Sequence, residues 1–189
     1  MRVTSYEFVE VRENLTRDRL HAFMRALADS APGRGSFRVY FIGGATAVDH
    51  GWRESTIDAD ISADNDRIFR GIQKLKESLH LNVELARPED FVPALAGAAS
   101  RHLFIDTIGA VSFFHYDPYS QLFSKLVRGL RQDLEDAESF LSEGLVESEQ
   151  LRSLVDKIPQ AAYSKYPALS RTAVHDAINE FLSRRRPTR

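Results

Sequence analysis

The sequence predicts an α+β fold: a core in which helices and strands alternate as they do in α/β domains, followed by a C-terminal helical bundle. Three features lead there. As far as Tyr116 the apolar residues switch repeatedly between helical spacing and strict alternation. Two strand-like runs flank Gly109 closely enough to form a hairpin. From Asp117-Pro118 onward every apolar pattern is helical. The 189 residues, 43% hydrophobic and 28% charged, fit an ordinary globular chain able to bury a core. The change of pattern divides the chain into a core over 1–117 and a helical subdomain over 118–189.

Taken in order, Thr16 is expected to cap a helix over 16–30, whose apolar stripe is Leu20, Phe23, Met24 and Leu27 and which Pro32-Gly33 stops. Phe37–Ile42, rich in β-branched and aromatic residues, reads as a buried strand that delivers the chain into a tight turn at Gly43-Gly44. A short helix over 45–50 follows. Residues 57–61 alternate Ile57, Ala59 and Ile61 against Asp58 and Asp60, so a strand there has one apolar and one acidic face. Ile68, Ile72, Leu75 and Leu79 predict one helix over 65–79, and Asn82–Leu85 a further strand. The hairpin comprises Leu103–Ile108 and 110–116. Helices are then expected over 119–141, 148–158 and 170–185, broken by Gly144 and Pro167, with Arg184-Arg185-Arg186-Pro187 as a solvated tail.

Composition excludes several classes of function. A net charge of −2 provides no global field for a polyanion, so any nucleic-acid contact must be local. The chain has no cysteine, which removes disulfides, thiolate zinc sites and a cysteine nucleophile together. Among the six histidines no two have the spacing of a helical metal pair. The amino terminus lacks an apolar export segment and no stretch approaches a membrane span, so a cytoplasmic protein without membrane contact is expected.

The chemistry concentrates around two short segments. Asp58 and Asp60 point the same way from a strand, roughly 6 to 7 Å apart, and like charges so placed are tolerated when a divalent cation lies between them. Glu84, on the next predicted strand, completes an acidic trio that suits a two-metal displacement at phosphorus. Gly43-Gly44 lets backbone N–H groups approach phosphate oxygens, and Thr46 offers a hydroxyl beside them. Arg53 is placed to pair with a carboxylate or a phosphate, while Ser55 and Thr56 cap and orient the turn. A strand, then the glycine pair, then Arg53-Glu54-Ser55-Thr56-Ile57-Asp58-Ala59-Asp60, then a separate acidic strand is a far more specific order than any one of these pieces.

That order resembles the active-site signature of the DNA polymerase beta-type nucleotidyltransferase superfamily. Gly43-Gly44-Ala45-Thr46-Ala47 and the segment 53–60 are most similar to minimal bacterial and archaeal members, the AbiEii and MenT toxins of toxin–antitoxin systems among them. The resemblance spans roughly residues 37 to 142 and takes in Asn82-Val83-Glu84-Leu85 and Tyr116-Asp117-Pro118. A later helical pattern of a lysine, an arginine, a basic-Asp pair and a further Asp is matched by Lys125, Arg128, Arg131, Asp133 and Asp136.

The resemblance implies the nucleotidyltransferase fold, a small mixed sheet flanked by helices. It further implies magnesium or manganese held by Asp58, Asp60 and Glu84, and a nucleoside triphosphate bound by Gly43, Gly44, Thr46, Arg53, Ser55, Thr56 and Lys125. A nucleoside monophosphate would pass to an acceptor hydroxyl on tRNA, a protein or a small molecule, with a cognate antitoxin as partner of a toxin member. Lys125 would contact phosphates, and Asp133 would orient Lys125 or the incoming hydroxyl. Three positions depart from the pattern: Ala45 stands for the common serine, Ala59 for isoleucine, and Gln132 for the basic residue before Asp133.

Other readings stay open. A non-catalytic module that binds a nucleotide or a partner protein, as one component of a two-gene system, could share the fold. Arg34, Arg38, Lys74, Lys76, Arg128 and Arg131 are candidates for an RNA-receiving patch. Phe104, Phe113, Phe114 and Tyr116 could stack a base, although core packing is the expected role of Phe113 and Phe114, and Trp52 admits either use. Arg131, Glu135 and Glu138 read as a solvated face with helical charge pairs.

Overall fold

The computed structural model describes residues 12–33 and 35–184. Arg34 of the basic patch, the amino terminus and residues 185–187 of the tail lie outside the described residues. Within them the elements are β1 (Leu15–Thr16), α1 (Arg17–Asp29), β2 (Phe37–Ile42), α2 (Gly44–Asp49), β3 (Ser55–Thr56), β4 (Asp58–Ala63), α3 (Ile72–Ser78), β5 (Asn82–Leu85), β6 (Leu103–Ile108), β7 (Val111–His115), α4 (Pro118–Arg128), α5 (Arg131–Ser142), α6 (Ser148–Asp156) and α7 (Arg171–Ser183). The architecture is mixed, a five-stranded sheet flanked by helices and followed by a helical bundle.

The sheet order is β5-β4-β2-β7-β6, with β4-β5 and β2-β7 parallel and β2-β4 and β6-β7 antiparallel. Strand alternation gives it two distinct faces. Val39, Phe41, Ala59, Ile61 and Phe113 lie on one and are buried against Leu20, Phe23, Met24 and Leu27 of α1. Thr16 caps α1 as its residue type predicts, its Oγ1 accepting the Arg19 N–H at 3.4 Å. The other face carries Tyr40, Ile42, Asp58, Asp60, Ser62, Asn82 and Glu84, and is the side on which the site lies.

Two expected helices are broken. The segment 65–79 forms a single tight turn at Asp66–Phe69, capped by the Asn65 side chain, and then the short α3. The segment 119–141 divides into α4 and α5 because Gly129, at a φ of 67°, ends α4 in the left-handed region where glycine is strongly favoured. β3 pairs antiparallel with β1, a contact that spacing alone does not reveal. The bundle has its own core of Leu122, Phe123, Phe140, Leu151, Val155, Ile178 and neighbours, which reaches back to Val92 and Leu95 and has Trp52 packed against it.

Among the described residues no helix is long and apolar enough to cross a membrane.

Candidate active site

Register assembles the acidic trio. Asp58 pairs with Asn82 and Asp60 with Glu84 across the parallel β4-β5 ladder, so the three carboxylates share one sheet face. They line a cavity of about 210 Å³, whose other walls include Gly43, Arg87, Phe91, Gln121, Ser124, Lys125 and Arg128. Asp58 Oδ1 accepts the Asn82 amide. Among the described residues nothing donates to Asp60 or Glu84, so both keep their oxygen lone pairs for the cavity. Burial, followed by the charges of Glu84 and Asp58, pushes the Asp60 carboxyl up to about 6, against the weaker opposing pull of Arg128 and Lys125.

The glycine bend closes directly on this trio. Gly43 has φ 59° and ψ −120°, a conformation that only glycine adopts readily. A β-carbon at Gly43 would lie 3.0 Å from Asp60 Oδ2, so the bare Cα is what allows the bend to abut the carboxylate. At Gly44 a β-carbon would meet Thr56 Oγ1 at 2.2 Å, so Thr56 braces the turn from behind. The Gly43 N–H donates to Gln121 Oε1 at 2.8 Å, and Gln121 Nε2 donates to Tyr116 O. Underneath, the almost buried Asp49 accepts from His115 Nε2 at 3.1 Å and His21 Nε2 at 2.9 Å. Burial alone would raise the Asp49 carboxyl, but those two imidazoles outweigh it and hold the group well below the usual carboxylate range.

Opposite the acids, α4 presents cations. Lys125 is only 3% exposed, and its Nζ donates to Asp136 and, at 3.5 Å, to Asp133. Arg128 offers Nε and Nη2 to Asp133 as a fork, leaving Nη1 uncommitted among the described residues. Burial works to raise Asp133, and the Arg128 fork with Lys125 reverses that and keeps the carboxylate ionised to lower pH. Each buried carboxylate on α5 thus fixes a cation that faces Asp60 across the cavity.

Several residues expected at the site are elsewhere. Thr46 is 1% exposed, its hydroxyl turns back to donate to Phe41 O at 3.1 Å, and it does not line the cavity. Arg53 spends its guanidinium on Asp136, Nε to Oδ1 at 2.7 Å, and on Gln132 O, and does not line the cavity. Ser55 and Thr56 belong to β3 and also lie outside it, with Ser55 Oγ accepting from Asn14. The basic patch does not assemble: Arg128 lines the acidic cavity, Arg131 a separate depression with Glu135, and Arg38 lies near the start of β2 over the Phe114 ring.

Trp52 stacks on His50, meets Phe140 edge-on and donates to Glu143, which makes it a packing bridge to the bundle. Phe113 is fully buried, and Arg131 and Glu135 form the exposed helical pair expected of them, at 3.0 Å. Arg128, matched in the helical pattern without an assigned role, lines the cavity, as do Arg87, Phe91, Gln121 and Ser124, which motif reasoning did not single out. The last two carry a usable signal, since with Lys125 and Arg128 they repeat along one stripe of a helix.

The donor set suits a hard divalent cation, because carboxylate oxygens from Asp58, Asp60 and Glu84 border one space and two of those side chains have no protein donor. Among the described residues no three such side chains converge on a single point. Comparison of the chain with protein-family models, curated proteins and solved structures gives no match.

Proposed function

We propose that the chain is a divalent-metal-dependent nucleotidyltransferase of the DNA polymerase beta type, transferring a nucleoside monophosphate from a nucleoside triphosphate to an acceptor hydroxyl. The observation that carries this reading is the pairing of Asp58, Asp60 and Glu84 with Lys125 and Arg128 across one cavity closed by the glycine bend. Acids that hold cations and bases that face polyphosphate are the two halves that phosphoryl chemistry requires.

In the reaction the acceptor oxygen forms a bond to the α-phosphorus while the bond from that phosphorus to the bridging oxygen of the β-phosphate breaks, releasing pyrophosphate. Magnesium or manganese bound by Asp58, Asp60 and Glu84 would supply Lewis acidity at the entering and leaving oxygens. Glu84, without a protein donor of its own, takes up the acceptor hydroxyl's proton. Lys125 and Arg128 neutralise the departing pyrophosphate from positions held by Asp133 and Asp136. A tRNA or protein acceptor, and a cognate antitoxin as partner, follow from the resemblance of residues 43–60 and 125–136 to toxin nucleotidyltransferases.

The test is label transfer from each α-labelled triphosphate, with magnesium or manganese, to total tRNA or cell lysate. Metal-dependent labelling by the wild-type protein, lost in Asp58→Ala and Asp60→Ala variants that keep the wild-type circular dichroism, is the expected result. Nucleotide binding without transfer under every acceptor condition would instead make the chain a binding module.

A further inference from the structure

A second cavity of about 420 Å³ lies on the same sheet face as the acidic one. Two residues beyond Asp60 along β4, alternation brings Ser62 to that face, and register sets Tyr40 of β2 beside it. Asp64 follows at the strand end, roughly 13 Å from Asp60 by strand rise, about the reach of one nucleoside. Arg87 lines both cavities and so joins them, anchored by its Nη2 donating to Ala63 O at 3.2 Å.

The lining of this second cavity is built for a flat, polar-edged ring. The His102 ring packs against Tyr40 and Tyr116 with centroids 4.4 and 4.6 Å away, giving an aromatic wall whose members already support one another. His102 Nδ1 accepts the Asp117 N–H at 3.0 Å, which fixes the neutral tautomer with its proton on Nε2. Burial, the largest influence on that ring, also favours the neutral form. Asp64 Oδ1 accepts the Tyr40 hydroxyl at 2.8 Å, and among the described residues its Oδ2 accepts nothing. The Ser62 hydroxyl is 95% buried as a residue and has no hydrogen-bond partner among the described residues. The cavity therefore offers a carboxylate acceptor, guanidinium and imidazole donors, and an unsatisfied hydroxyl beside an aromatic surface.

From this arrangement we infer that the second cavity is a subsite for a nucleobase carrying an exocyclic amine. The amine donates to Asp64, as base amines do to carboxylates. Ring nitrogen or carbonyl acceptors of the same base meet Arg87, and the ring packs on the aromatic wall of His102 and Tyr116. Uracil has no exocyclic amine and presents a carbonyl oxygen where cytosine has its amine, so that edge is repelled by the carboxylate. That the subsite serves group transfer at Asp58 and Asp60 rests on the function proposed above; that it binds a base does not. The same base chemistry is carried by the triphosphate and by a nucleic-acid acceptor, and competition separates the two sources.

The experiment titrates free cytidine, adenosine, guanosine and uridine, without phosphate or metal, into the full chain while following backbone amide shifts by NMR. Cytidine, adenosine and guanosine should perturb Tyr40, Ser62 and His102, with uridine about tenfold weaker. Asp64→Asn, at an exposed position, should abolish that discrimination, and His102→Ala should weaken all four. Uridine binding as tightly as cytidine, no perturbation at millimolar nucleoside, or discrimination surviving Asp64→Asn would each overturn the proposal. Adding a triphosphate with magnesium displaces the nucleoside if the donor's base occupies the cavity, and leaves it bound if the acceptor's does. Nucleoside binding without any label transfer would sink the transferase reading and leave the base subsite standing; transfer without nucleoside binding would do the reverse.

Discussion

Replacing Asp60 by asparagine should stabilise the metal-free protein, and only at neutral to alkaline pH. Above pH 6 the native carboxyl is ionised against burial and against Glu84 and Asp58, whereas in the unfolded chain the same charge sits in water. Below about pH 4 both states hold the proton and the penalty vanishes. A raised native midpoint thus contributes stability at low pH that is lost as pH rises through about 6. Each tenfold change in proton affinity is worth about 1.4 kcal/mol, so displacement from the ordinary aspartate range near 4 sets a ceiling of about 3 kcal/mol. Solvent reaches part of the side chain, which brings the expected gain of Asp60→Asn to about 1–2 kcal/mol. The assay is urea unfolding of wild type and variant from pH 4 to pH 8 in chelator. The gain should grow with pH through the interval 4 to 7, and millimolar magnesium should stabilise the wild type and not the variant. A variant less stable than wild type at pH 8, or a difference independent of pH, would refute the electrostatic account of this carboxylate.

Lys125→Met should cost about 3 kcal/mol in urea unfolding, because Asp136 loses one of its two cationic partners in a buried setting, and label transfer should disappear with it. Gly44→Ala should destabilise the protein by about 1–3 kcal/mol, since its β-carbon collides with Thr56, and Gly44→Ala combined with Thr56→Gly should recover most of the loss in thermal melts.

The acidic trio was legible in the sequence because two rules of strand geometry suffice for it: alternation sets Asp58 and Asp60 on one face, and neighbouring strands bring Glu84 level with Asp60. The glycine bend was legible too, since few residue types tolerate that backbone. Thr46 and Arg53 were misplaced for a different reason. Their directions are decided by partners that local pattern does not specify, the Phe41 carbonyl for one and Asp136, 83 residues further along, for the other. The break between α4 and α5 was hidden because apolar spacing continues across Gly129, and only the glycine itself marks the stop. Arg128 was matched in the helical pattern and offered to an RNA-receiving patch; the side chain is half exposed, but its inner edge is drawn to Asp133 and it lines the acidic cavity.

Asp136 accepts from Arg53, which precedes β4, and from Lys125 of α4, while Trp52 is wedged against Phe140 of α5 and Glu143 just past its end. The clamp has a mechanical consequence. A hinge that swung α5 away from the sheet would strip two cations from a buried anion in one movement, so the jaw formed by acids and bases is fixed in width. A chain trimmed ahead of α4 would forfeit the cations that face Asp60 together with the packing that seats Trp52.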